Sequence, residues 1–223
     1  VKIIEPSVVL IRPQGEEGGL IALRAIEAMA RISHRSEEAQ TEDSWKRFLT
    51  AVVLEHGDWS VTEHASASVI FRVDRGVTHE LVRHRLFAFT QESTRFVNGA
   101  KKYPEGLEFI LPIGFVTKLS APSQEAMRRF QDDEISYFSL LDMGMRPQEA
   151  RSILPNALAS TIGVTGNFRN WRHFFLMRTS RETHPDFRRV TIPLLETFKQ
   201  RIPLLFDDIE PNARQIDNLK KPR

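Results

Sequence analysis

The chain has 223 residues, 41% of them hydrophobic and 27% charged, a composition ordinary for a soluble globular protein able to bury a core. Its 31 lysines and arginines against 29 acids leave a net charge of only +2, which gives no strong field for nucleic acid or membranes. It has no cysteine, which excludes disulfides, thiolate metal sites and a thiolate nucleophile.

Val1 to Ile11 reads as short strand pieces broken by Pro6, and Gly15 to Gly19 as a loop. Leu20 to Ser33 is expected to be helical, with Leu23, Ile26 and Ala30 at helix spacing; His34 to Gln40 is polar and reads as a loop. A second helix is expected over Thr41 to Glu55, where Trp45, Phe48, Leu49 and Val52 form a buried stripe. His64 to Val73 alternates cleanly and is the strongest strand, with Ala65, Ala67, Val69, Phe71 and Val73 on one side. Gly76 then turns the chain into a helix expected to carry the central motif.

Further on, Leu107 to Leu111 reads as a strand and Ser123 to Asp142 as a long helix with Met127, Phe130, Phe138 and Leu141 on its apolar side. Pro147 starts a short helix that stops before Pro155. Ala159 to Thr165 is strand-like, Asn167 to Arg178 helical, and Asp186 to Phe206 a last helix kinked or cut by Pro193 and Pro203. The tail from Pro211 is polar and expected to fray. Helices and strands do not alternate regularly. The expected fold is therefore α+β, with helices packed on a largely antiparallel sheet in a single domain over residues 1–223. No Gly-x-Gly-x-x-Gly follows a strand, so no Rossmann site is expected. With no signal-peptide pattern and no apolar run of spanning length, a cytoplasmic protein is the expectation.

The central motif is Arg83-His84-Arg85, followed after seven residues by Ser93 and then by Thr94 and Arg95. Arginine presents a planar fork of donors that fits phosphates and carboxylates, and hydroxyls add short donors beside it. Phe87 and Phe89 would anchor the loop that carries Gln91, Ser93 and Arg95. A second block runs from Ala150-Arg151-Ser152-Ile153-Leu154-Pro155 to Asn167-Phe168-Arg169 and on to Arg178. There Arg169 and His173 share one helix face, while Trp171, Phe174 and Phe175 take the packed side. Each block alone is also compatible with an ordinary amphipathic helix and its solvated charges. The histidines lack metal-ligand spacing, so no metal is expected.

Together the blocks resemble the flavin-dependent thymidylate synthases. Arg83-His84-Arg85, seven residues, then Ser93 is similar to that family's signature, and Gln91-Glu92-Ser93-Thr94-Arg95 to its nucleotide loop. Ala150 to Pro155, Asn167 to Arg169 and Arg178 follow at matching spacing; His56-Gly57, Glu63-His64 and His184-Pro185-Asp186 add weaker matches. The resemblance implies synthesis of dTMP from dUMP, with methylenetetrahydrofolate as carbon donor and NADPH as reductant through FAD. It also implies a homotetramer with shared active sites. The missing cysteine fits, because the unrelated classical thymidylate synthases attack uracil with a thiolate.

Carried over by motif, the FAD contacts are Ser33, Ser60, Arg83, His84, Arg85, Gln91, Asn167, Arg169 and His173. The dUMP contacts are Glu80, Arg83, Gln91, Ser93, Thr94, Arg95, Arg151 and Arg178, with Ser93, Arg95 and Arg151 toward the phosphate. Arg178 is the catalytic candidate, placed by the resemblance where it favours ionisation of uracil N3. Three positions depart from the usual family residues: Glu80 replaces a common glutamine, Gln91 an occasional glutamate and Phe96 a common tyrosine. Two other readings stay open. One is a related flavin- and folate-dependent enzyme that hydroxymethylates a pyrimidine nucleotide. The other is a non-enzymatic nucleic-acid-binding domain, disfavoured by the near-neutral charge.

Overall fold

The alternation from Ala65 to Val73 produces a strand at Ser66–Asp74 in which Ala67, Val69, Phe71 and Val73 are buried. The structure, a computed structural model, describes residues 1–95, 104–116 and 121–214. Its strands are β1 (Lys2–Ile3), β2 (Ser7–Arg12), β3 (Ser66–Asp74), β4 (Ala88–Gln91), β5 (Glu108–Phe109) and β6 (Ala159–Asn167). Its α-helices are α1 (Gly15–Arg31), α2 (Ser44–Leu49), α3 (Arg75–Leu81), α4 (Ile113–Val116), α5 (Ala121–Asp142), α6 (Pro147–Ala150), α7 (Phe168–Arg178) and α8 (Pro185–Arg201).

A four-stranded sheet has the order β2-β3-β6-β4, and β1 pairs with β5 in parallel in a separate ribbon. The β3 and β6 strands are antiparallel: Ala65 O accepts from Phe168 N–H, Ser68 meets Thr165, and Arg72 meets Thr161, so one series rises as the other falls. The β4 side follows the same rule, with Glu92 N–H donating to Thr161 O and Gly166 lying against the ring of Phe87. The expected α+β arrangement with a largely antiparallel sheet is what forms.

Contacts divide the chain into two compact units. The first comprises Val1–Ser7, Phe71–Arg83 and Thr90–Ile162. Its core gathers Leu107, Phe109, Phe130, Tyr137, Ala150 and Leu158, with Phe109 and Phe130 stacked at 5.0 Å between ring centres. Met127, expected inward, is instead exposed, and the strand expected over Leu107 to Leu111 shortens to two residues. The buried carboxylate of Glu134 in α5 accepts from Leu107 N–H, which ties α5 to the segment that leads into β5. Asp74 caps α3 by accepting from Val77 N–H at 2.9 Å, so the helix starts one residue before Gly76. It also ends at Leu81. The Arg83-His84-Arg85 motif therefore lies in the turns that follow the helix, not on it, and Val82 is exposed.

The second unit comprises Val8–Ile70, His84–Phe89 and Gly163–Arg223. Here the loop expected at Gly15 to Gly19 is the first turn of α1, with Glu16 and Glu17 favourably placed against the helix dipole. Gly19 is required by close approach: a Cβ there would overlap the backbone carbonyl of Arg201 at the end of α8. The polar run expected as loop holds a short 3-10 turn at Glu37–Ala39. The second helix forms, but α2 continues as a π-helical segment at Thr50–Glu55. Its wider turn moves the buried stripe on by a residue, so that Val53 rather than Val52 is fully enclosed.

Trp171, Phe174 and Phe175 are buried as the spacing predicts, and pack on Phe198, Phe187 and Phe206. Trp171 Nε1 donates to Ala67 O, which fixes α7 on β3. Arg172, unforeseen as a core residue, is held by both carboxylate oxygens of Asp208 at 2.6–2.7 Å and lies 4.1 Å over the ring of Trp59. The last helix retains Pro193 within it and ends before Pro203. The tail expected to fray begins with an ordered turn, where Asn212 N–H bonds Thr179 O. Beyond 214 it lies outside the described residues, as does Phe96. Among the described residues no helix is long and apolar enough to cross a membrane.

Candidate active site

The expected nucleotide residues fall almost entirely in the first unit. There Gln91, the last residue of β4, donates from Nε2 to Thr78 Oγ1 and to Ser160 Oγ, each at 3.1 Å. Its orientation is thus set by α3 and β6 together. After it the chain leaves the sheet. Ser93 Oγ accepts from Arg95 N–H at 3.2 Å, Arg151 Nη1 donates to Thr94 Oγ1 at 3.1 Å, and Arg95 Nε donates to Gln148 Oε1 at 3.0 Å. Arg151 opens the 3-10 turn after α6, and Gln148 lies within α6, so both sequence blocks meet on this loop. Glu80 and Arg83 lie nearby in sequence at the end of α3, where Arg83 N–H bonds Glu80 O.

Arg75 was not foreseen. Its guanidinium is held below the ordinary arginine value by burial and by the like charge of Arg151. Arg75 and Arg151 thus lie close enough to repel each other, and Arg151 also reaches Thr94, so an anion bound there would relieve the like charge. The signal was an arginine directly after a capping aspartate, ordinarily read as a helix start. Glu92, part of the same run but given no ligand role by it, has its carboxylate engaged by Arg72 and by Thr161 N–H. A cavity of about 30 Å³ lies under the loop, lined by Glu92, Ser93, Thr94, Glu108, Tyr137 and Ser160 among others. Ligand pockets for small molecules span about 300–1,000 Å³, so this cavity alone does not enclose a nucleotide.

The expected flavin residues fall mainly in the second unit. Asn167 caps α7, its Oδ1 accepting from Asn170 N–H at 2.8 Å. Asn170 in turn donates from Nδ2 to Leu86 O, tying α7 to the turn after the motif. Arg169 and His173 lie on the exposed face of α7, as their spacing predicts, and Arg169 pairs with Glu63 at 2.6 Å. Ser33 and Ser60 are exposed, Ser33 bonding back to Ala30 O, and Arg85 is exposed in its turn. Their exposed guanidinium, imidazole and hydroxyl donors are of the kind a dinucleotide pyrophosphate takes, so in chemistry these residues fit a flavin nucleotide.

His84 and Arg178 meet directly. Arg178 Nε donates to His84 Nε2 at 2.8 Å, and the imidazole lies edge-on against Phe174 at 5.0 Å. Burial first, then the charges of Arg178 and His173, push the His84 pKa down from 6.5 to about 4. It is therefore neutral near pH 7, with its proton on Nδ1, because arginine can only donate. The Arg178 guanidinium also lies 5.3 Å over the ring of Phe187, and its carbonyl accepts from Thr191 Oγ1.

Residues 21–204 match the sequence profile of the family described as thymidylate synthase complementing protein. The flavin-dependent thymidylate synthase of Corynebacterium efficiens is 36% identical over 174 residues, covering 71% of this chain and 67% of the relative. That of Mycobacterium tuberculosis is 34% identical over 171 residues, covering 71% of this chain and 67% of the relative. In fold, the chain is similar to a UMP/dUMP methylase from Streptomyces cacaoi solved with 5-Br dUMP. That likeness has a TM-score of 0.75 and 22% identity, covering 93% of this chain and 96% of the other. The profile, the relatives and the two blocks agree: the chain belongs to the flavin-dependent thymidylate synthase family.

Proposed function

We propose that the chain converts dUMP to dTMP by reductive methylation, with methylenetetrahydrofolate as carbon donor and NADPH as reductant through FAD. The observation that carries this reading is the His84–Arg178 contact within the signature of a cysteine-free chain. Without a thiolate, C5 of uracil must become nucleophilic by electron supply from its own ring. A guanidinium at the pyrimidine edge stabilises charge at N3 and the carbonyl oxygens, and so enriches C5. Neutral His84 accepts from Arg178 without competing for the substrate as a second cation. Phe174 and Phe187 pack the pair and limit water.

Arg95 and Arg151 hold the nucleotide phosphate by charge-assisted bonds, with Ser93 adding a neutral donor. Gln91, whose Nε2 is engaged by Thr78 and Ser160, keeps its carbonyl as an acceptor for the nucleotide. Arg83, Arg85, Arg169 and His173 grip FAD, with Ser33, Ser60 and Asn167 beside them. The flavin, when bound, carries reducing equivalents from NADPH to the one-carbon unit. Family membership favours a cytoplasmic homotetramer with shared active sites, and the small cavity of the first unit is in keeping with a nucleotide site that one chain does not enclose alone.

Titration with FAD, followed by flavin fluorescence and then by addition of dUMP, tests the reading. Binding of FAD with a dUMP-dependent spectral change is expected. A protein that takes up neither FAD nor dUMP overturns it.

A further inference from the structure

Glu92 stands inside the run of residues expected to hold a phosphate, although a carboxylate repels one. Its surroundings explain this. Glu92 Oε2 accepts from Arg72 Nη1 at 3.0 Å and from Thr161 N–H at 3.2 Å. Arg72 Nη1 also donates to Thr161 Oγ1 at 2.6 Å, and Arg72 Nη2 bonds the carboxylate of Glu108. Glu92 N–H donates to Thr161 O at 2.8 Å, so both backbone and side chain of Glu92 are tied to β6 immediately before Ser93.

The three charged side chains are each about one-fifth exposed, so water screens them only partly. Glu92 and Glu108 both line the cavity under the loop, with Ser93, Thr94 and Ser160. Two carboxylates converging there would repel each other and any phosphate nearby. Arg72 lies between them, and Lys2 reaches Glu108 from outside at 3.5 Å. A guanidinium fork serves two acceptors at a fixed angle, whereas an ammonium is a compact point charge with rotatable donors.

We propose that Arg72 is a positioning residue for nucleotide binding: by gripping Glu92 and Glu108 it fixes the Ser93–Arg95 loop and masks two carboxylates at the cavity wall. It touches no ligand itself. The inference rests on the reading that this loop binds dUMP.

The test compares wild type, Arg72→Lys, Arg72→Met and the double variant Arg72→Met/Glu92→Gln for dUMP affinity, FAD affinity and melting temperature. Arg72→Met is expected to weaken dUMP by about ten- to a hundredfold, the range for hydrogen bonds to charged groups, with FAD affinity unchanged. Arg72→Lys should fall between, and adding Glu92→Gln should restore part of the loss by removing one carboxylate charge. Wild-type dUMP affinity in Arg72→Met, or dUMP and FAD affinities that fall together, overturns the proposal. If Arg72→Met does not fold, the isosteric Glu92→Gln reads the same contact: weakened dUMP with intact FAD binding supports it, and unchanged dUMP binding overturns it. Failure of the wild type to bind dUMP would remove the nucleotide reading itself, and is distinguished because no variant is needed to see it.

Discussion

Arg178 donates its Nε–H to Nε2 of His84 across 2.8 Å, joining the last residue of the second sequence block to the centre of the first. The two are 94 residues apart in the chain. The contact requires a neutral imidazole, because protonation would place a hydrogen on the acceptor nitrogen.

That requirement predicts a pH dependence. The folded pKa of His84 is depressed to about 4 from 6.5, so between those values the unfolded chain binds the proton more readily. The stabilising contribution is fully present above pH 6.5 and is lost as pH falls toward 4. His84→Gln keeps an acceptor but cannot titrate. Its melting temperature should fall less steeply than that of the wild type over this window. Parallel curves in thermal melts across the window would show that His84 does not titrate there.

Arg178 should matter to chemistry more than to folding. Preorganised donors aimed at developing charge are worth roughly 2.7–4 kcal/mol, about a hundred- to a thousandfold in rate. Arg178→Ala is expected to retain FAD and to lose release of tritium from 5-tritiated dUMP by about that factor. Wild-type tritium release would remove Arg178 from activation of the base.

The phosphate reading singles out Arg95 and Arg151. Each replacement by alanine should weaken dUMP by about ten- to a hundredfold and leave deoxyuridine binding nearly unchanged. Calorimetric titration with both ligands checks this. An equal loss for the two ligands would show that these arginines do not read the phosphate.

Gly166 supports the motif by packing rather than by chemistry. A Cβ there would overlap the buried ring of Phe87, which itself contacts Trp171 at 4.7 Å. Gly166→Ala should therefore destabilise by about 1–3 kcal/mol, the usual cost of overpacking. Urea unfolding measures it directly, and a change within about 0.5 kcal/mol would mean that Phe87 moves aside freely.

Much of this was legible where one physical rule dominates. Alternation fixed β3, and apolar spacing fixed the buried face of α7, including Trp171, Phe174 and Phe175. The Gly15–Gly19 turn misled because glycine lowers helix propensity locally, whereas packing of Gly19 on Arg201 O rewards it. The π-helical turn after Leu49 was invisible because periodicity assumes a constant pitch. Of the candidate site, the blocks were visible as motifs. The Arg72–Glu92–Thr161 contacts were not, because pairing across strands depends on register that no local pattern carries.

Everything above turns on methylation of dUMP by this cysteine-free chain through a bound flavin. The most direct measurement is chromatography of the nucleotide products after incubating purified protein with FAD, NADPH, methylenetetrahydrofolate and dUMP. dTMP is expected, formed only when all four are present and largely lost in Arg178→Ala. Nucleotide recovered as unchanged dUMP, or converted to 5-hydroxymethyl-dUMP without dTMP, would contradict it.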